Sequence, residues 1–176
     1  PITRIELLLG KYLGLAAALA LSTLAGFGMV AVLLSRQMSW ASMYHYFGFM
    51  LSSVLLGLAF LSLAVLLSVL ARDRTRASGL AIATWFFFVL VFDLLLLGVL
   101  VGSGGRFGGE SFALLLLLNP ADVFRILNVF SLEDVRTLYG LATVVPPAMG
   151  SPLKMGGAML VWIAVPLALA HWRFKP

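Results

Sequence analysis

Three long, predominantly apolar runs, residues 12–34, 48–70 and 79–101, constrain this chain more than any other feature. Each reaches the roughly 20 residues that a helix needs to cross hydrocarbon, at about 1.5 Å per residue. A fourth run, 155–172, is shorter and contains Pro166, which neighbouring helices can accommodate in a membrane. Lipid offers no hydrogen bonds, so every run must satisfy its own backbone and is predicted helical. Composition agrees: 62% hydrophobic and 11% charged residues cannot cover a water-soluble domain of 176 residues. The prediction is an all-α polytopic membrane protein, a single transmembrane domain over 1–176. It has about four spans, with short interfacial or re-entrant helices in the loop 102–154.

Charge gives the orientation. The net charge of +5 forms no continuous basic stripe, so a nucleic-acid partner is not expected. Arg4 and Lys11 precede the first run; Arg72, Arg74 and Arg76 crowd the link 71–78; Arg173 and Lys175 follow the last. The link 35–47 holds only Arg36, and in 102–154 basic and acidic residues balance. Lysine and arginine favour the cytoplasmic side, so both chain ends and the link 71–78 are expected there. Trp40, Tyr44 and Tyr46 then fall in the outer aromatic belt and Trp172 in the inner one. The chain has no cysteine, hence no disulfide or thiolate metal site. The first run is too long for a cleaved signal core and reads as a retained span. The start at Pro1 reads as a fragment or a processed product.

Local signals refine the ends. Thr3-Arg4-Ile5-Glu6 fits a capping box, so a helix should begin near Arg4 and run into the first span. Residues 102–109 read as a glycine-rich linker, and 112–118 is apolar but too short to cross. Asn119 is placed to cap a short helix with Pro120 first and Asp122 in its first turn. Val123, Ile126, Leu127 and Phe130 would line its apolar face, with Asp122 and Arg125 adjacent at i, i+3. A further helix is expected from about Ser131 to Val145.

The opening, Pro1-Ile2-Thr3-Arg4-Ile5-Glu6-Leu7-Leu8-Leu9-Gly10-Lys11, resembles the segment entering the third membrane helix of ABC-2-type permeases. Two stretches, Trp85 to Leu94 and Leu118 to Asn128, resemble in particular the permeases of nitrous oxide reductase maturation transporters. The resemblance covers nearly the whole chain, with the four runs corresponding to the third to sixth of six spans. It implies a bacterial inner-membrane subunit, a cytoplasmic ATP-binding-cassette ATPase that holds ATP and Mg, a periplasmic partner protein and a homodimer. It implies a role in copper-site assembly, with no cofactor bound by this chain. ABC-2 export of another cargo, a non-transporting membrane scaffold, and a membrane enzyme with a site near Asp93 stay open beside it.

Asp93 is the one ionisable residue deep in a span, where an acid costs roughly 2.5–3.5 kcal/mol and must face protein or water. It reads either as a polar point on a substrate path or as a packing carboxyl, with no second charge in any span to form a relay. Asn119, Asp122 and Arg125 are the outer-helix candidates. Arg4, Lys11, Arg72, Arg74 and Arg76 are candidates for cytoplasmic anchoring or for facing an ATPase. All seven methionines fall in the outer half of this topology, near His45; thioethers suit Cu(I), but their scattered spacing favours packing, and no metal site is assigned. Gly10-xxx-Gly14 and Gly98-xxx-Gly102 would permit close helix approach. No hydrolase, metalloprotease or Walker motif occurs, so no catalytic residue is assigned.

Overall fold

The computed structural model describes residues 3–104, 114–129 and 151–173, and among these there are helices and no strands. We number them α1 (Arg4–Leu34), α2 (Trp40–Leu70), α3 (Arg74–Gly102), α4 (Pro120–Val129) and α5 (Pro152–Arg173). Four of them, α1, α2, α3 and α5, are long and apolar enough to cross a bilayer. The chain divides into two compact units, residues 1–81 with 160–176, and residues 82–159.

The spanning helices exceed the apolar runs because polar caps outside hydrocarbon extend them. Thr3 accepts from the Glu6 backbone while Glu6 returns a bond to the Thr3 N–H at 2.7 Å, completing the expected box at the start of α1. Helix α2 begins eight residues earlier than the apolar pattern implied, because Ser39 caps it through the Ser42 N–H at 3.2 Å. Trp40, Tyr44 and Tyr46 therefore ride on a helix. Likewise Asp73 accepts from the Arg76 N–H at 2.8 Å and starts α3 at Arg74, leaving only a short basic link after α2.

In the first unit α1 and α2 pack antiparallel. At one end Phe27 meets Phe49 edge-on, with centroids 5.3 Å apart, and the Tyr46 hydroxyl donates to the Phe27 carbonyl at 3.0 Å. Midway, Gly57 lets Leu19 approach so closely that a Cβ there would lie 2.8 Å from Leu19 Cδ2. At the other end the Tyr12 and fully buried Ser62 hydroxyls are 3.1 Å apart, and Ser62 donates to the Leu58 carbonyl at 2.8 Å. Serines of α2 return their hydroxyls to carbonyls one turn back, as Ser52 and Ser53 do to Phe49, which lets them sit in an apolar helix. The paired glycines Gly10, Gly14, Gly98 and Gly102 have no such neighbour among the described residues, none of which comes within 4 Å of an added Cβ.

In the second unit, α3 widens into a π turn over Phe87–Val91, where the Phe92 N–H bonds back to the Phe87 carbonyl. Phe87, Phe88 and Phe92 cluster around it, with centroids 5.4–6.3 Å apart. After α3, Gly104 takes a left-handed φ of 59° that turns the chain. Of the linker expected over 102–109, Gly102 belongs to α3 and residues 105–109 lie outside the described residues, as do the face residue Phe130 and the helix expected from Ser131 to Val145.

Candidate functional site: a polar latch on the π turn

The site is built where α4 meets the middle of α3. A π turn interrupts the i to i+4 hydrogen-bond ladder and offers carbonyl oxygens to outside donors. Two donors from the α4 segment take them. The Asn119 amide donates to the Phe88 carbonyl at 2.8 Å, and Arg125 Nη2 reaches the Val89 carbonyl at 3.4 Å. Phe88 stands midway between Arg74 and Gly102, about 21 Å from either end at 1.5 Å per residue. The start of α4 thus rests against the midpoint of a spanning helix.

Asn119 performs three tasks with one side chain. Its Oδ1 accepts from the Ala121 N–H at 2.9 Å, capping α4 as the sequence predicted. Its Nδ2 donates both to Phe88 and to Asp122 Oδ2, the latter at 2.9 Å. Asn119, Val123 and Pro120 are fully enclosed and Asp122 is 4% exposed, so these bonds form away from solvent.

Arg125 completes the network. Its Nη1 donates to Asp122 Oδ1 at 2.9 Å, the expected i, i+3 pair, and also to Asp93 Oδ2 on α3. Asp93, the lone acid of the third span, therefore has a cationic partner, supplied by the loop helix rather than by another span. One guanidinium faces two carboxylates, so the cluster carries one excess negative charge. On α4, outside the spanning helices, burial raises the Asp122 carboxyl to about 6. The negative charge of Asp93 acts in the same direction, while Arg125 and the Asn119 amide oppose it. The Asp93 and Arg125 side chains stay half-exposed (39% and 45%), whereas that of Asp122 is 6% exposed.

The structure thus gathers four sequence candidates, Asp93, Asn119, Asp122 and Arg125, into one constellation. The basic candidates stand elsewhere: Arg4 opens α1, Lys11 lies one turn behind Leu15 on the same helix, Arg72 is in the link, and Arg74 opens α3. Arg76 pairs with Asp73 at 3.2 Å. Met50, Met155 and Met159 are buried as packing residues, and no group of three or more His, Asp or Glu side chains among the described residues could hold a metal.

Over residues 1–176 the sequence matches the family described as ABC-2 family transporter protein. The chain belongs to the ABC-2 family. This ABC-2 chain is 40% identical over 184 aligned residues to the probable ABC transporter permease protein NosY of Stutzerimonas stutzeri. It is 42% identical over 182 residues to the protein of the same name from Pseudomonas aeruginosa. Each alignment covers 99% of this chain and 65% of the relative, so the ABC-2 chain spans slightly less than two thirds of their length.

What sequence reading missed was the meeting of Asn119, Asp122 and Arg125 with Asp93 and the carbonyls of α3. A signal existed: Asn119, Asp122 and Arg125 recur at intervals of three and share a helix face, while Asp93 needed a counter-charge that no span supplied. The π turn had no equivalent signal, since its carbonyls acquire their role only when α4 docks.

Proposed function

We propose that this chain is the membrane-spanning permease subunit of an ABC transporter for nitrous oxide reductase maturation. It couples a cytoplasmic ATPase to passage of a cargo or to a periplasmic partner during copper-site assembly. The observation that carries the reading is its identity to NosY permeases along essentially the whole chain. ATP and Mg are held by the separate ATPase, and two copies pack in the bacterial inner membrane with both ends of the present chain cytoplasmic. The spread of basic residues supports that orientation: Lys11, Arg72, Arg74, Arg76 and Arg173 flank the apolar runs at ends that alternate crossings would bring to the same face.

In this reading the latch transmits motion. ATP-driven tilting of α3 carries α4 with it, because Asn119 and Arg125 grip the π turn and Asp93. The outer loop then moves as an extension of the spanning helix, with α4 re-entering the bilayer to about its middle. The polar groups of α4 bond to one another and to α3, as a re-entrant segment requires.

The experiment is a chromosomal deletion complemented by the full-length gene or by its Arg125→Gln variant, with the copper content and activity of periplasmic nitrous oxide reductase measured. The reading expects reductase lacking copper in the deletion, restoration by the wild type and little restoration by the variant. Fully copper-loaded reductase in the deletion strain would refute the maturation role.

A further inference from the structure

A second feature, in the first unit and independent of the cargo, is a cleft of about 510 Å³ between the start of α1 and the end of α2. Leu7, Leu15, Leu61 and Val65 give it apolar walls, and Lys11 and Ser68 line it with them. Lys11 forms no ion pair with a described residue: Glu6 is engaged by Thr3 and Asp73 by Arg76. Ala71 closes the cleft at the end of α2, and the exposed Arg72 and Arg74 follow it directly. The cleft is therefore greasy along its length and cationic at one end.

We propose that this cleft holds one anionic phospholipid, its phosphate at Lys11 and Arg72 and one acyl chain lying between α1 and α2. Length supports that occupant. From Leu61 to Ala71 the α2 wall rises about 15 Å, half the roughly 30 Å hydrocarbon core and therefore the depth of one leaflet. The cationic end coincides with the basic link that positive-inside bias assigns to the cytoplasmic leaflet, where anionic headgroups attract Lys and Arg. Lys11 and Ser68, both in the lining, offer donors for a phosphate oxygen, which an apolar helix ridge would leave unmatched.

The test uses the full-length permease with its ATPase, reconstituted in nanodiscs of phosphatidylglycerol and phosphatidylcholine, with bound lipid counted by native mass spectrometry. The wild type should retain phosphatidylglycerol in preference to phosphatidylcholine. Lys11→Gln with Arg72→Gln should lower that retention at least tenfold, Lys11→Arg should preserve it, and Val65→Trp should expel the lipid by filling the cleft. Equal retention of the two lipids by the wild type, or unchanged retention in the double variant, would overturn the proposal. So would efficient cross-linking of Ser68→Cys to a protein segment in place of lipid.

Discussion

The α1–α2 hairpin and the α3–α4 latch hold helices together by opposite means. Along the hairpin, contacts are spread from Tyr12 to Phe27 and are mostly apolar, with Leu19 seated over Gly57 and Phe27 against Phe49. At the latch they converge on a few polar atoms of Asp93, Asn119, Asp122 and Arg125. Spread apolar packing degrades gradually when one side chain is cut back. A network of few polar members loses more at one stroke, because removing one leaves the enclosed Asn119 or Asp122 a partner short. The hairpin thus spreads its contacts over many side chains, and the latch concentrates its own in four.

The largest effect that can break this contrast belongs to Arg125→Ala. It leaves the enclosed Asp122 and the half-exposed Asp93 uncompensated and should cost about 2–3 kcal/mol, below the full value for a buried pair, read as a lower denaturation midpoint of the full-length protein in detergent. A near-silent substitution would reduce the latch to an incidental contact. Asn119→Ala removes the α4 cap, the grip on Phe88 and a partner of Asp122 together, with an expected loss of about 2 kcal/mol. Faster proteolysis of the outer loop should accompany it.

Acidity sharpens the comparison. The native Asp122 carboxyl is raised to about 6 from 3.8, so the folded latch binds a proton that the open chain does not between those values. Its contribution to stability is therefore full at low pH and is lost as pH rises through about 6. Melting the protein from pH 4 to pH 7 should show this loss, and Asp122→Asn should flatten it; an identical pH profile in the variant would contradict the assignment. The smallest effect belongs to the hairpin: Tyr12→Phe should cost about 1 kcal/mol or less, since Ser62 keeps its bond to Leu58. A larger loss there than at Asn119 would invert the contrast.

The spans were legible because length and apolarity are properties of a segment by itself, and the Thr3 box and Asn119 cap because they close over three residues. The starts of α2 and α3 were less so. Ser39 and Asp73 lie among polar link residues, where many positions could cap, and the apolar count begins only where hydrocarbon does. The latch needed tertiary information. Nothing near Asp93 in sequence announces Arg125, thirty-two residues on, and the two become partners only when α4 folds back on the π turn.

The central claim is that Asp93 and Arg125 act as one unit across α3 and α4. A double-mutant cycle tests it most directly: the denaturation midpoints of Asp93→Asn, Arg125→Gln and the combined variant of the full-length protein in one detergent. The latch predicts that the combined variant is more stable than the sum of the single losses allows, by about 1–3 kcal/mol of coupling. Strictly additive losses would show that the two side chains act independently and that α4 is held to α3 by something else.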